Sequence, residues 1–548
     1  MPKLRATFFL RDGFRADGGV NHTTARIGGS LGCDGGRFIG KGKVPALSAN
    51  GATIDGVVFL RDGFRACGKV ELSFAKIGGN LSCDSGRFVS RKLIPALDAK
   101  GAKIQGMVSF VDSFSAGGGV AFVGATIGGN LVCGDALFSS EVGWKRSPLV
   151  GLQMSALTAR SAKIHGSAFL RRFKAKGGVD LTGATIDGSL ECDWSEFIGE
   201  GKLLALNANC AKVLGNVFLR NSFKAQGGVD LILATIGGNL VCENGAKFVG
   251  EIINGKEERL AISASGAKVD GNVFFRATTK TEPGLQVDGT VRFAHAVGGN
   301  FEWQDIESHE KASLDLRFTK IGLLLNEEQS WPSKGNVKLD GFVYDQFDDQ
   351  APNAKVQLNW LHLQPKKPFS SPPYEQLAKV LKSSGHESEA TEVLIAKQDD
   401  LRRYGDLGWW AKFAILLLGF SIRHGYKPRR ALFGMLIFIL FGTIAFQAGY
   451  WCHLLTRSNN LANVPIARAD YPKFQAFVYS LDTFLPIVDL NQKGYWLPNA
   501  NHGDNVIPGV RFRWGGLLRI YFWVHIIFGW ILTTLWVAGF TGLVRRLN

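Results

Sequence analysis

The chain has 548 residues, a formal net charge of +16 and a pI near 9.4. This basic balance argues against an acidic protein that mimics a DNA duplex, and it suits an anionic partner, either nucleic acid or a membrane face. Two long apolar segments near the C-terminus favour the membrane, so we expect membrane lipid as a partner and expect no nucleic acid.

One motif recurs through the first three hundred residues. Its clearest copy is GVDLILATIGGNLVC, residues 228–242. The cysteine that ends the motif recurs in steps of 50, 50, 59 and 50 residues. A weaker half-repeat lies between the copies, so the isoleucines from Ile27 to Ile127 are alternately 27 and 23 residues apart. Such a period is typical of solenoid proteins.

Glycine decides between a helical and a β solenoid. A Gly-Gly pair or a glycine-rich corner interrupts the repeat every six to ten residues, and glycine is costly inside helices. The runs that remain, such as residues 57–60, are short strands bounded by turns. The predicted fold class is therefore mainly β. It is a parallel β-helix solenoid, followed by a helical hairpin and an α-helical membrane domain with two transmembrane helices.

The repeat also predicts which side chains fill the solenoid. Each isoleucine, and the cysteine six residues after it, should point inward and stack in register on its copies. The predicted core comprises Ile27, Ile77, Ile127, Ile186, Ile236, Cys33, Cys83, Cys133, Cys192 and Cys242. The insertions at residues 139–149 and 250–260 should leave as loops without shifting these columns. At the Gly-Gly corner, Gly128 is expected to need a positive φ.

The cysteines are expected to be structural. Copies of the cysteine would lie about 10 Å apart, too far for a disulfide bond. The sequence contains no C-x-x-C pair of the kind that binds zinc, so we expect neither a metal nor a cofactor. Free buried thiols, with no signal peptide visible before the repeats, fit a reducing compartment.

The units of the form A-x-[IV]-x-G-x-[LV] resemble the degenerate pentapeptide-repeat solenoids of bacterial membrane proteins. The resemblance covers residues 1–345 and implies the fold. Homologues of that kind often carry the label "membrane-associated oxidoreductase". The sequence holds no G-x-G-x-x-G between a strand and a helix, no P-loop and no H-E-x-x-H. Its G-x-S-x-G match at residues 28–32 falls on a Gly-Gly corner of the repeat, so we do not expect an enzyme. A polysaccharide enzyme using Asp180 and Asp230, equivalent positions in successive repeats, stays open as an alternative.

Five segments follow from these patterns. Residues 1–345 are the repeat solenoid, and residues 346–373 are an exit loop and a proline-rich linker. Residues 374–404 are a helix-turn-helix adaptor, which resembles the P-Y-E-Q-L-A segment that follows the solenoid in the same membrane family. Residues 405–426 contain an interfacial helix, because the apolar run 409–422 is short for a span. Residues 427–548 are a two-span membrane domain with an external loop that resembles a re-entrant segment.

The spans are predicted at residues 431–450 and 517–544. Basic residues precede the first span and follow the second, at Lys427, Arg429, Arg430, Arg545 and Arg546. The positive-inside rule then places both termini and the solenoid in the cytoplasm, with the spans in a bacterial inner membrane.

The stretch between the spans allows two interpretations. A span, an apolar stretch and a second span form the layout of two-span potassium-channel pore modules, although residues 474–490 contain no glycine and therefore no T-V-G-Y-G loop. Asp482 and Asp489 could share one helix face and form an acidic ring in an oligomer. Arg519 and His525 are further candidates because ionisable residues in spans are often functional. The favoured alternative is an amphipathic segment that lies on the outer leaflet.

Two functions are weighed. The first is a membrane-anchored scaffold that presents a surface to an unknown cytoplasmic protein partner. The second is a homo-oligomeric, ion-channel-like pore gated by the solenoid. An oxidoreductase or another enzyme is the third and weakest alternative.

Overall fold

The computed structural model describes residues 3–4, 7–90, 94–140, 155–199, 201, 203–252, 259–347, 354–458, 471–506 and 513–541. Within them, parallel strands stack into sheets with a solenoid-like arrangement, and eight α-helices follow. The chain forms two compact units. The first contains Met1–Lys366 and Ser370–Ala390, and the second contains Lys367–Phe369 and Thr391–Asn548.

The first unit is built from four ladders of short parallel strands, which the chain visits in the same order in each repeat. The isoleucine ladder consists of Lys3–Leu4, Arg26–Ile27, Thr53–Ile54, Lys76–Ile77, Lys103–Ile104, Thr126–Ile127, Lys163–Ile164, Thr185–Ile186, Lys212–Val213, Thr235–Ile236 and Lys268–Val269. The leucine ladder consists of Phe8–Phe9, Leu31–Gly32, Val58–Phe59, Leu81–Ser82, Val108–Ser109, Leu131–Val132, Ala168–Phe169, Leu190–Glu191, Val217–Arg220, Leu240–Glu243, Val273–Arg276, Phe301–Trp303, Lys320–Asn326 and Val343–Phe347.

The other two ladders merge in the long strand Gln286–Arg292. The arginine ladder consists of Arg15–Asp17, Arg37–Ile39, Arg65–Cys67, Arg87–Val89, Ser115–Gly117, Leu137–Ser139, Lys174–Lys176, Glu196–Ile198, Lys224–Gln226, Lys247–Val249 and Gln286–Arg292. The valine ladder consists of Val20–Asn21, Leu47–Ser48, Val70–Glu71, Leu97–Asp98, Val120–Ala121, Leu157–Thr158, Val179–Asp180, Leu206–Asn207, Val229–Asp230, Arg259–Ser263, Gln286–Arg292, Ala312–Asp315 and Val337–Lys338.

The isoleucines stack in register, as the 27- and 23-residue spacing predicts. Ile104 lies opposite Ile127, which in turn lies opposite Ile164 on the next strand. This register continues across the insertion after residue 139, so the insertion does not shift the column. The predicted loop itself falls largely on residues 141–154, outside the described part of the chain. At the second insertion, Glu251–Ile252 pairs antiparallel with Arg259–Ser263, which makes a hairpin.

The 50-residue period has a packing cause. Cys242 lies between Leu219 and Phe275 on neighbouring strands of the leucine ladder, and all three side chains are fully buried. Leu60 and Phe110 take the equivalent places between earlier cysteines. A small thiol therefore alternates with a large side chain, which keeps the filled volume constant over each pair of coils.

A column of phenylalanines runs along the first unit, and the repeat pattern did not predict it. It comprises Phe14, Phe38, Phe64, Phe88, Phe114, Phe138, Phe173, Phe197, Phe223 and Phe248. Neighbouring ring centroids are 4.7 to 5.8 Å apart. Tilted and edge-to-face pairs at this distance stabilise a core beyond their buried area.

The expectation that Gly128 needs a positive φ is wrong. Gly128 is not among the residues with positive φ. A Cβ at Gly128 would instead overlap the carbonyl oxygen of Gln105 on the preceding coil. The left-handed corner lies elsewhere, just before the buried alanine of each unit, as at Phe74 with φ 57° and Gly101 with φ 64°.

Two helices complete the first unit. Helix α1, Ala354–Leu361, lies inside the predicted exit loop and linker, where no helix is expected from the sequence. Its Trp360 is buried against Trp331, with ring centroids 5.5 Å apart. Helix α2, Pro372–Ser383, follows, and the Gln376 amide donates to the Tyr344 carbonyl of the last leucine-ladder strand at 2.6 Å. Together they cover the final coil, as solenoid ends require.

The remaining helices are α3, Glu387–Tyr404, α4, Trp409–Ile422, α5, Arg429–Trp451, α6, Ala476–Phe484, α7, Gln492–Tyr495, and α8, Trp514–Phe540. In the second unit, Leu455–Arg457 also pairs antiparallel with Trp496–Pro498. Helices α5 and α8 are long and apolar enough to cross a membrane, with mean hydropathies of 2.1 and 1.7. Helix α4 has 14 residues and is too short for a span.

Shortening Ile127 to alanine should destabilise the first unit. Ile127 is fully buried between Ile104 and Ile164, so Ile127→Ala should lower the free energy of unfolding by about 2–5 kcal/mol. Gly128→Ala should also lower it, because its Cβ meets the Gln105 carbonyl. Urea unfolding followed by circular dichroism measures both changes. Lys103→Ala, on an exposed position of the same ladder, is the control and should stay within about 0.5 kcal/mol. An unchanged midpoint for Ile127→Ala would contradict this packing.

Candidate functional site

The short helix α6 lies between the two long helices α5 and α8. The Ser480 hydroxyl of α6 donates a hydrogen bond to the Ile439 carbonyl in the middle of α5, 2.8 Å away. On the other side, Nε2 of His525 in α8 lies 3.2 Å from the Ser480 carbonyl oxygen and 3.3 Å from its hydroxyl oxygen. Ser480 and His525 are both fully buried. Polar contacts therefore join α6 to both long helices.

The partners of His525 determine which ring nitrogen carries the proton. The Ser480 hydroxyl hydrogen points to the Ile439 carbonyl, so Nε2 of His525 is the donor toward Ser480. Nδ1 then accepts a hydrogen bond from the Tyr521 hydroxyl, 3.2 Å away and one turn earlier on α8. Both ring nitrogens are satisfied in a neutral imidazole, as buried polar groups require. The hydrogen bonds of this cluster connect the three helices α5, α6 and α8.

Two glycines allow the helices to approach this closely. A Cβ at Gly442 of α5 would overlap the Ser480 hydroxyl and the His525 ring. A Cβ at Gly529 of α8 would overlap the Phe484 carbonyl at the end of α6. Small residues at helix contacts are a common device for close packing between apolar helices.

Asp482 stabilises the backbone that follows α6 through hydrogen bonds to its carboxylate. Its two carboxylate oxygens accept hydrogen bonds from the backbone N–H groups of Leu490 and Lys493, both at 2.8 Å. The Lys493 ammonium lies 3.6 Å from the same carboxylate, whose side chain is fully buried. Asp482 therefore stabilises the loop before α7 from inside the second unit, where its side chain is not exposed.

The idea that Asp482 and Asp489 share one helix face is wrong. Helix α6 ends at Phe484, so Asp489 lies outside it. Asp489 has a side chain that is 68% exposed, and it accepts a hydrogen bond from the backbone of Asn491 at 3.0 Å. Pro486 explains the early end, because the residue before a proline is disfavoured in the α conformation.

Arg519 stands apart from these groups. It is exposed in the second turn of α8, with its guanidinium 5.9 Å from the ring centroid of Trp523. A long basic side chain beside tryptophan near a helix end suits the interface of a membrane. The structure therefore brings His525 to Ser480 and Tyr521, while Arg519 stands apart. Asp482 and Asp489 both lie near Lys493, whose ammonium is 3.6 and 3.8 Å from the two carboxylates. Tyr521 could have been found from its i, i+4 spacing to His525. No sequence signal singles out Ser480.

The favoured interpretation of an amphipathic segment on the outer leaflet does not fit α6. Tyr479, Ser480, Asp482 and Thr483 are all buried among the neighbouring segments of the same unit. A helix lying freely on a surface would expose one polar face. The re-entrant-like layout describes this packing better.

The predicted repeat residues lie in the interior of the first unit. Every one of the five isoleucines and five cysteines is at most 1% exposed. Burial raises the pKa of Cys33 to about 12, with a further contribution from the Asp34 carboxylate, and burial also raises the pKa of Cys83, Cys192 and Cys242. Such thiols stay protonated at neutral pH and are poor nucleophiles.

A column of four arginines lies on the outside of the arginine ladder. In register, Arg15 faces Arg37, Arg37 faces Arg65, and Arg65 faces Arg87 on successive strands. All four side chains are exposed. Arg15 pairs with Asp17 at 3.1 Å, whereas the other three form no ion pair within the described residues. We call these four residues the arginine column. Their spacings of 22, 28 and 22 residues follow the 50-residue period, so the column could have been found from the sequence.

Another column of the first unit places opposite charges on neighbouring strands. Arg220 faces Glu243, and Glu243 faces Arg276, on neighbouring strands of the leucine ladder. Arg276 bonds Glu243 at 3.1 Å and Glu302 at 2.6 Å. Opposite charges alternate there, whereas the arginine column repeats one sign at strand spacings of about 4.8 Å. Like charges directly opposite each other are destabilising, so the column is a candidate anion-binding surface.

Asp180 and Asp230 do not form a carboxylate pair. They occupy one column, but the strand carrying Asn207 lies between them. Asp180 is bonded to Arg160 and to Thr182, and Asp230 accepts the backbone N–H of Ile232 at 2.8 Å. Burial raises the pKa of Asp230. Each carboxylate is engaged with its own coil or the adjacent one.

No cluster of three or more histidine, cysteine or acidic side chains suited to a metal occurs among the described residues. Comparison of the chain with protein-family models, with curated proteins and with solved structures finds no match in any of the three. The architecture and these surfaces are therefore the basis for inferring function.

Replacing Asp482 by asparagine should lower stability. The new side-chain amide would present an NH2 group toward one of the two backbone donors, so Asp482→Asn should cost about 1–3 kcal/mol, the penalty for an unsatisfied buried group. Thermal unfolding of the full chain in detergent measures this. The matched control is Asp489→Asn, whose side chain is exposed and which should leave the midpoint unchanged. Equal midpoints for both variants would contradict the fastening role of Asp482.

Proposed function

We propose that the protein is a non-enzymatic, membrane-anchored solenoid whose arginine column binds an acidic protein partner in the cytoplasm. The observation that carries this proposal is the in-register stack of exposed arginines, three of them without an ion pair in the described part of the chain. A column of one sign lowers stability by about a few tenths of a kcal/mol or more per neighbouring pair. An acidic partner would remove that repulsion.

The architecture on which the proposal rests is a closed parallel β-helix of pentapeptide-like repeats, such as the bacterial membrane proteins that the sequence resembles. Four strand ladders visited in constant order support closure. Helices α5 and α8 would cross the bacterial inner membrane. Their length and hydropathy support this, and the basic residues at the start of α5 and after α8 support cytoplasmic termini.

The position of the arginine column within the first unit supports a protein partner. The column lies in the first coils, at the end of the ladders opposite α1 and α2, so the helices that cover the final coil leave it open. Arginine forks bind carboxylates with two parallel hydrogen bonds, and their fixed spacing suits acidic side chains repeated along an extended or helical segment.

Removing two central arginines should abolish capture of the partner. We expect proteins captured by the full chain in nanodiscs to be lost from Arg37→Ala/Arg65→Ala and to be released by salt, because exposed charge pairs are screened. The matched control is Lys76→Ala/Lys103→Ala, two lysines that also face each other on neighbouring strands. Quantitative mass spectrometry of the captured proteins is the measurement. A captured set that is identical for both double variants would refute the role of the column.

A second candidate is an oligomeric pore gated by the solenoid. The insertion of α6 between α5 and α8 favours it, because this is the layout of two-span pore modules. An acidic ring at Asp482 is not favoured, because its carboxylate is buried and accepts hydrogen bonds from backbone N–H groups.

The scaffold proposal expects no ion current from purified protein in planar bilayers. A pore would conduct ions, and Asp489→Asn, which neutralises an exposed carboxylate, would change its cation selectivity. The control is Asp504→Asn, which neutralises a second exposed carboxylate outside the α6 loop. Unitary currents that change in Asp489→Asn but not in Asp504→Asn would refute the scaffold proposal and support the pore.

A further inference from the structure

A cavity of about 560 Å³ lies where α3 ends and α4 begins. Three cations line it. Lys367 comes from the segment before α2, Arg403 from the last turn of α3, and Lys412 from the first turn of α4. Among the described residues that line it, the only carboxylate is that of Asp406, and Tyr404 adds an aromatic ring and a hydroxyl. Segments distant in sequence therefore bring their cations to one cavity.

The charges in this cavity are not balanced. Within the described residues, Lys367, Arg403, Lys412 and Asp406 form no ion pair, and one carboxylate cannot neutralise three cations. The excess positive charge favours an anion. Arginine offers a planar fork that matches phosphate oxygens, and lysine adds a point charge. The volume lies within the range of small-molecule sites, roughly 300–1,000 Å³.

The neighbouring helix indicates where such an anion would come from. Helix α4 begins with Trp409 and Trp410, whose rings stack 3.6 Å apart and whose side chains are 66% and 67% exposed. Further along, Phe413 and Phe420 are 53% and 85% exposed. An apolar helix too short to span, with tryptophans at one end, suits the membrane interface, and tryptophan favours the headgroup level. The cavity adjoins that tryptophan end.

We propose that Lys367, Arg403 and Lys412 bind the phosphate headgroup of an anionic phospholipid in this cavity. The shared chemistry is a phosphate ester, which either a lipid or a soluble phosphate could supply, and the exposed rings of α4 favour the lipid. The proposal rests on the membrane anchoring proposed above. It is independent of the arginine column, which lies on the other unit and whose capture experiment uses different variants.

Lipid selectivity of the full chain tests the proposal. The protein in uncharged detergent is titrated with short-chain phosphatidylglycerol, short-chain phosphatidylcholine and inorganic phosphate, and the bound species are counted by native mass spectrometry. We expect saturable binding of phosphatidylglycerol, and a loss of affinity of roughly tenfold or more in Lys367→Gln/Arg403→Gln, because two cations near an anionic group are removed. Phosphatidylcholine should bind weakly and equally to both proteins.

The matched control is Arg429→Gln/Arg430→Gln, which removes two exposed cations at the start of α5. It should keep its affinity for phosphatidylglycerol. Equal losses in both double variants would mean general charge attraction and would overturn the site. Inorganic phosphate binding as tightly as phosphatidylglycerol would overturn the lipid source. If the double variant fails to fold, two single variants test the site instead. Lys412→Gln should weaken the binding of phosphatidylglycerol, and the conservative Arg403→Lys should retain most of it. An unchanged affinity of Lys412→Gln for phosphatidylglycerol would overturn the proposal.

Discussion

The first unit depends on one close approach between successive backbones. At the last glycine of each corner, the N–H donates to the carbonyl of the equivalent glycine on the preceding coil. The series contains Gly29, Gly56, Gly79, Gly106, Gly129, Gly166, Gly188, Gly215, Gly238, Gly271, Gly299 and Gly322, at 2.8 to 3.1 Å per step. A Cβ on Gly106 would overlap the coil before it. The next residue adds a side-chain ladder, in which the Asn216 amide oxygen accepts the Asn239 N–H and the Asn239 amide oxygen accepts the Asn272 N–H. Side chains larger than hydrogen at the glycine positions would separate the coils.

Fixed register explains which features of the first unit could be predicted from the sequence. The isoleucine and cysteine columns recur at one place in the motif, so their period is visible in the letters. The phenylalanine column uses two places: Phe64 follows a Gly in the turn of one coil, and Phe88 lies in the strand of the next. Both places recur with the 50-residue period, at spacings of 24 and 26 residues, but neither lies in the A-x-[IV]-x-G-x-[LV] unit on which the prediction was based. Helix α1 was missed for another reason, since its eight residues are stabilised by Trp360 packing on Trp331, a tertiary contact that propensity does not report.

In the second unit, composition predicts the two long helices well, but it does not predict which segments pack against them. Hydropathy locates α5 and α8 because each residue contributes independently to the signal. The position of α6 depends on shape: Gly442 and Gly529 make room for Ser480 and Phe484. The predicted Asp482–Asp489 face required a helix through residue 489, and Pro486 was a visible reason against it. Asp482 then accepts loop N–H groups, a role that follows from the helix ending where it does.

Charge in the first unit is governed by the same register, and this makes the arginine column informative. Because each outward side chain faces its equivalents about 4.8 Å away, the unit can place opposite charges in contact at no cost in backbone geometry. It does so where Arg276 faces Glu243, whereas Glu71 faces Asp98 and Lys69 contacts both of those carboxylates. Two arginine-to-glutamate exchanges, at Arg37 and Arg87, would make the signs alternate along the whole arginine column. Stability therefore favours alternation, and a column that keeps one sign over four coils retains a repulsion that an anionic partner would relieve.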